Sequence, residues 1–276
     1  MKKMQVILMV LGVAGMLHAA PQVPDLRPVQ PKRSIKTACA PPPGFHRIAQ
    51  AAGSFGEWLR NRPLKPAGSV VHLYDGRVKQ DRGVYAGVLD LDIGTSDLQQ
   101  CADAVMRLRA EYLFSNAQYD QIGFHFTNGF YADYRHWRDG CRVSVNGNAT
   151  KWVRKGAQDG SYAQFRRYLE TVFSFAGTRS LEQELRPVSI GSMQPGDVLI
   201  RGGAPGHAVL VMDMAVNAAG QKCYLLSQSY MPAQDIQILR EPTKQLDGLW
   251  YLLPTDAGMI ATPEWDFTTG QLKRFP

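Results

Sequence analysis

The sequence predicts an α+β domain with a mainly antiparallel sheet. Three observations predict it. The 276 residues are 45% apolar, 10% aromatic and 20% charged, with 26 Gly and 17 Pro, which excludes a wholly disordered, collagen-like, coiled-coil or small disulfide-scaffold chain. Two amphipathic helical segments lie in the first two thirds of the chain. From Gly196 onward the chain reads as strand and turn only, and helices followed by a run of strands belong to the α+β class rather than to alternating βα units.

Taken in order, residues 1–20 (MKKMQVILMVLGVAGMLHAA) have a cationic start, an apolar run from Val6 to Leu17 and small residues after it. This is the build of a secretory signal, too short to span a bilayer comfortably, with cleavage expected after Ala19 or Ala20; an uncleaved anchor is the alternative. No later apolar stretch reaches membrane length, so no stable membrane insertion is expected once the signal is removed, and the expected location is secreted or periplasmic. Residues 21–45 are dense in proline without apolar periodicity, an extended leader or linker. Residues 46–276 then make a single globular domain.

Within that domain, Ser69–Tyr74 and Val84–Leu91 are rich in β-branched and aromatic residues and read as strands. In TSDLQQCADAVMRLRAEYLF, Ser96 with Gln99, or Asp97 with Gln100, offers a capping box, and Leu98, Cys101, Val105, Leu108 and Tyr112 recur on one helical face. Gln121–Thr127 and Cys141–Val145 read as strands ending in Asn-Gly turn signals. Ser161–Ala176 reads as a second helix closed by Gly177. The late strands are DVLIR, HAVLVMDM, CYLLSQSY, DIQIL and LWYLL.

The surplus of 31 Lys and Arg over 24 Asp and Glu gives +7, dispersed along the chain; such charge solvates faces and does not point to nucleic acid. Four cysteines (Cys39, Cys101, Cys141, Cys223) and five histidines (His46, His72, His125, His136, His207) follow the leading segment. None stands in CxxC, HExxH or HxH spacing, so no metal site is expected, and no dinucleotide or phosphate-loop motif implies a cofactor. Four cysteines in an exported chain can pair in three ways.

His207 opens an apolar strand just after a Gly/Pro turn, and alternation places His207, Val209, Val211 and Asp213 on one face. If Asn217–Gly220 is the hairpin loop, pairing Val216 with Gln221 sets His207 opposite Tyr230, and a shift of two sets it opposite Gln228. Either register brings Gln228 or Ser229 near the imidazole, which a general base needs to fix its tautomer. Asp213, six residues along the same strand and about 20 Å away, is the poorer orienting group. The glycines beside His207 permit close approach of a substrate; a strand-end histidine satisfied by backbone is the plainer reading. Cys101 falls near a helix start, where the dipole and free amides favour a thiolate, with Gln100 beside it as an oxyanion donor. It also belongs to the apolar stripe, so a small core cysteine is the competing reading. In residues 124–140, Phe124, Phe126, Phe130, Tyr131, Tyr134 and Trp137 alternate with polar groups including Asn128. Asn128 and Trp137 are candidate substrate contacts, with core packing as the alternative, and Ser229 joins them as a candidate contact at the strand end.

The runs DLQQCADAVMRLRAEYL, FTNGF, QPGDVLIRGGAPGHAVLVMDMA, LLSQSYMPAQDIQIL and TPEWDFTTGQLKRF resemble a bacterial secreted family labelled a domain of unknown function (DUF 4846), over roughly residues 45–275. More distantly, PGDVLIRGGAPGHAVLVMD resembles the histidine-bearing strand of papain-like thiol hydrolases, the NlpC-type and CHAP cell-wall peptidases and amidases. There a Cys at a helix start precedes a His on a strand and a polar residue on the next strand, and Cys101, His207 and Gln228 follow that order. The segment Gln-Gln-Cys-Ala-Asp departs from their usual Asp-Cys-Ser-Gly, and the Cys-to-His spacing is long. The resemblance implies a papain-like fold and a thiol amidase or peptidase acting on cell-wall peptide or glycan-linked peptide. A non-catalytic envelope- or glycan-binding module on the same fold is the alternative.

Overall fold

The structure, a computed structural model, describes residues 33–276. The expected signal segment and the first part of the leader lie outside the described residues. The elements run α1 (Ile35–Ala38), β1 (Phe45–Arg47), α2 (Phe55–Arg60), β2 (Tyr85–Val88), α3 (Cys101–Ser115), β3 (Gly123–His125), β4 (Tyr131–Asp133), α4 (Tyr134–Arg138), β5 (Cys141–Asn146), β6 (Ala149–Arg154), α5 (Tyr162–Phe175) and α6 (Thr178–Glu184). There follow β7 (Arg186–Pro187), β8 (Val198–Arg201), β9 (His207–Asn217), β10 (Lys222–Gln228), β11 (Gln237–Leu239), β12 (Tyr251–Leu252), β13 (Met259–Ala261), β14 (Asp266–Thr268) and β15 (Leu272–Arg274).

The main sheet has the order β2-β11-β10-β9-β8-β15-β7, with β1 also on β9 and β12 also on β10, and every pairing is antiparallel. The chain is α+β, as its late run of strands predicts. Strand β9 is central because its residues from His207 to Ala215 are all buried. One face of the sheet carries the core built with α3 and α5, around Met106, Phe165, Leu210 and Met212; the other packs Val209, Val211 and Met214 under Ile260 and Phe267 of the β13–β14 hairpin. Burying both faces is what an apolar run without alternation requires.

The β9–β10 hairpin holds a bulge. Val216 pairs with Lys222 and Asp213 with Leu225, but Val211 pairs with Leu226 and Leu210 with Ser227, so Met212 is the extra residue. The expected offset, Val216 against Gln221, is off by one beside the turn and is restored beyond the bulge, where it carries His207 level with Tyr230. A bulge reverses alternation. Asp213 therefore leaves the His207 face, and meets Arg60 of α2 at 2.6 Å and Arg47 of β1 at 2.7 Å.

Several expected boundaries differ. Residues 33–45 belong to the packed body: Ile35 and Cys39 are buried, and the Trp250 indole donates to the Ala40 carbonyl. Ser69–Tyr74 forms only the isolated bridges of His72 with Val78 and Leu73 with Gln234, because β2 pairs β11 at the sheet edge. Helix α3 starts at Cys101, later than a Ser96 cap would place it, since Gln100 is the cap and its N–H donates to Asp103 Oδ2 at 3.0 Å. Helix α5 starts where Ser161 caps it, accepting from the Gln164 N–H. The short helices α2, α4 and α6 were not expected; none is long enough for a periodicity to stand out. All four cysteines are free thiols, and among the described residues no helix is long and apolar enough to cross a membrane.

Asp213 is fully buried between two arginines. Asp213→Ala leaves Arg60 buried without its counter-charge, and is expected to lower the unfolding free energy by about 3–5 kcal/mol in urea titration.

Candidate functional site

The start of α3 is fastened to the sheet where β10 parts from β9. Ser229, just past β10 and fully buried, donates its hydroxyl to the carbonyls of Gln99 (3.1 Å) and Gln234 (2.7 Å). Asp97 Oδ1 accepts from the Ala233 N–H at 2.7 Å and from Gln100 Nε2 at 3.1 Å. These bonds set Cys101, the first residue of α3, against the beginning of β9. Its sulfur is faced by its own N–H and by those of Ala102 and Ala208. Ala208 is the residue after His207, and alternation turns their side chains to opposite faces: Ala208 joins the α3 core, whereas the His207 ring packs with Trp265 and Phe267. The fold thus brings the predicted thiol to the backbone beside His207 and does not bring thiol and imidazole into contact. The Cys101 thiol makes no side-chain hydrogen bond among the described residues.

His207 is 2% exposed. Its ring lies among Tyr230, Trp265 and Phe267, with centroids at 5.0, 5.5 and 6.0 Å. Nε2 is 2.9 Å from Gln228 Oε1, the diagonal neighbour that the hairpin register places within reach. Gln228 Nε2 donates to Glu264 Oε2 at 2.6 Å, and Lys79 Nζ donates to both Glu264 oxygens at 2.7 and 2.9 Å and to Gln234 Oε1 at 3.1 Å. Sequence reasoning missed Glu264 and Lys79. Lys79 sits in no motif, and Glu264, though inside the TPEWDFTTGQLKRF run, carries no local signal of a role beyond its place beside Trp265.

Burial is the main force on Cys101, Asp103 and His207. It pushes the Cys101 thiol up to about 11, with Asp103 adding to the rise and the three amides opposing it. It pushes Asp103 up to about 8, and one carboxyl oxygen of Asp103 is buried without a partner. It pulls His207 below its ordinary value, opposed by the Gln228 bond and by Glu264, and reinforced by Lys79. The thiol and the imidazole thus both rest neutral. Burial raises Cys39 to about 11 and Cys223 to about 12 as well, so acidity does not single out Cys101. Position does: its neighbours are amides and its residue lines a cleft.

That cleft, about 590 Å³, is walled by Asp97, Gln100, Cys101 and Asp103 at the helix start, Thr127, Phe173 and Thr178 opposite, residues 203–206 before β9, and Met231. Gly206 has a structural reason beyond open access: a Cβ there would fall 2.7 Å from the carbonyls of Arg201 and Gly203. A larger hollow of about 680 Å³ lies at the turn end of the hairpin around Tyr224 and Tyr251, and no cysteine or histidine lines it.

The remaining predicted contacts fall elsewhere. Ser229 has its proton committed to two carbonyls and is inaccessible, so it is a clamp and neither a nucleophile nor a substrate contact. Gln100 lines the cleft, yet its side-chain amide is held by Asp97; the backbone amides at the helix start are the freer oxyanion donors. Asn128 is spent on the β5–β6 hairpin, donating to Asn148 O and Thr150 Oγ1. Trp137 is buried, donates to Gln164 Oε1 and carries the Arg142 guanidinium over its ring. Phe124, Phe126 and Tyr134 are buried too, so the aromatic segment is largely core, the alternative the sequence offered. Among the described residues no cluster of His, Cys, Asp and Glu is arranged to hold a metal.

The family model described as a domain of unknown function (4846) matches residues 35–274, and the chain belongs to that family. No curated protein matches the chain, and no solved structure matches it.

Asp103 supplies a pH signature. Its folded pKa lies above the ordinary carboxyl value, so its contribution to stability is fully present below about pH 4 and is lost as the pH rises through about 8. Asp103→Asn removes the buried charge. Between about pH 4 and pH 9 the difference in unfolding free energy is expected to move in favour of the variant, by on the order of a few kcal/mol, in urea titrations at each pH. For Cys101, iodoacetamide modification of the native protein is expected to accelerate as the pH rises toward 11, with no plateau at mildly acidic pH.

Proposed function

We propose that the chain is an exported thiol hydrolase with a papain-like arrangement, acting on an amide or ester in a cell-envelope peptide or glycan-linked peptide. One observation carries the reading. A cysteine in the first turn of a long helix lines a cleft beside the strand that opens with a histidine, and that histidine is held by a glutamine on the next strand. The order in the chain matches that of papain-like hydrolases. Export rests on the leading segment of the sequence, and the envelope substrate follows from export together with a modest positive charge.

In the proposed reaction, which requires the His207 ring to reach the cleft from the opposite face of β9, substrate enters the cleft and the Cys101 sulfur attacks the carbonyl carbon as its proton passes to Nδ1 of His207, the ring nitrogen not engaged by Gln228. A resting thiol with a raised pKa makes this base-assisted transfer part of the step. The oxyanion is taken up by amides at the α3 start. His207 returns the proton to the leaving amine or alcohol, and water then cleaves the thioester with His207 again as base. The raised thiol pKa also supports a second reading, a non-catalytic module that binds envelope glycan or peptide in the same cleft.

Hydrolysis of p-nitrophenyl esters and of purified peptidoglycan fragments separates the two. Cys101→Ala and His207→Ala are each expected to lower kcat/KM by on the order of 10³-fold or more while the circular dichroism stays native. Since His207 is held below its ordinary value, it remains the neutral base as the pH falls, and the acid limb of the kcat/KM profile is expected below about 6.5. Undiminished turnover by Cys101→Ala, or binding of the fragments with no turnover by the unsubstituted protein, rejects the hydrolase.

A further inference from the structure

We propose that Glu264 is a positioning residue: through Gln228 it decides which nitrogen of the His207 ring carries the proton. Its catalytic consequence rests on the hydrolase reading, but the assignment does not. A glutamine amide can turn either end toward a neighbour, and a neutral imidazole can protonate either nitrogen. A bond between Gln228 and Nε2 of His207 can thus form in two ways. Either Oε1 accepts from Nε2–H, leaving the lone pair on Nδ1, or the amide N–H donates to a bare Nε2, leaving the proton on Nδ1. Only the first leaves Nδ1 free to act as a base.

Glu264 removes the degeneracy. A carboxylate only accepts, so Gln228 must turn its NH₂ toward Glu264 Oε2, 2.6 Å away, and its Oε1 toward His207, 2.9 Å away. Lys79 fixes Glu264 in turn with bonds of 2.7 and 2.9 Å, and its own remaining reach is taken by Gln234 Oε1 at 3.1 Å. Lys79 is nearly buried, so its charge needs that carboxylate. Trp265, the residue after Glu264, packs on the imidazole, which couples the position of the carboxylate to that of the ring. The direction of each hydrogen bond then follows from the one before it, from the lysine to the imidazole.

The test uses the full chain labelled with ¹⁵N-histidine, with the His207 signals identified by their loss in His207→Gln. In the unsubstituted protein at neutral pH, long-range ¹H–¹⁵N correlation is expected to report the Nε2–H tautomer. Glu264→Gln keeps the size but inverts the chain of bonds: Lys79 holds the new side-chain carbonyl, its NH₂ faces Gln228, and Gln228 turns its own NH₂ to the ring. The expected result is a change of His207 to Nδ1–H, with kcat on the envelope or ester substrate falling about 10²–10⁴-fold, the range of a lost general base, and KM little altered. An Nδ1–H tautomer in the unsubstituted protein overturns the assignment, and so decides it even if Glu264→Gln does not fold. Nε2–H persisting in folded Glu264→Gln overturns it as well. A tautomer change with an inert Cys101 upholds the assignment and removes the hydrolase, whereas Cys101-dependent turnover with an unchanged tautomer does the reverse.

Discussion

After Gln228, strand β10 parts from β9, and the backbone there loses its ladder partners. The segment ahead of α3 takes up that edge: the Ser229 hydroxyl reaches the Gln99 carbonyl, and Asp97 receives the Ala233 N–H. Buried polar backbone has to be satisfied, and in satisfying it the chain brings a helix start and a strand start together. The placement of Cys101 beside Ala208 and the helix-start wall of the cleft derive from this junction. Its clamp is Ser229, a residue that the sequence offered as a candidate substrate contact.

Burying the junction has electrostatic consequences that run in one direction. Removing water disfavours every charge, so the thiol and the Asp103 carboxyl titrate high and the imidazole low. The nearby backbone amides of Cys101, Ala102 and Ala208 and the helix dipole offset part of this, not enough to make a resting thiolate. On the proposed hydrolase reading the thiol would hold its proton until a reacting carbonyl arrives, and the orientation of the base would matter more than the acidity of the nucleophile. The chain Lys79–Glu264–Gln228–His207 supplies that orientation.

The Met212 bulge separates two demands on one strand. Without it, Asp213 would share the His207 face; with it, Asp213 turns to Arg47 and Arg60 and ties β9 to β1 and α2. The same strand thus carries a fastening ion-pair cluster at one end and the imidazole at the other, on opposite faces.

The α+β class, the helix from Ser161, the late antiparallel strands and the pairing of His207 with Gln228 were legible in the sequence, as was a cysteine near a helix start. Each rests on a signal with a short period or a short reach: helical spacing, strand alternation, a cap, a hairpin turn. Asn128, Trp137 and Ser229 could not be sorted from substrate contacts in that way, because their side chains are spent on partners that local pattern does not specify. Nor could the bulge be read, since an apolar run buried on both faces conceals a change of phase. Glu264 lies 36 residues from Gln228 and 185 residues from Lys79. Only packing brings such partners within hydrogen-bond distance, so the local pattern determined where a thiol and an imidazole stand on their elements, and the tertiary structure decided which groups hold them there.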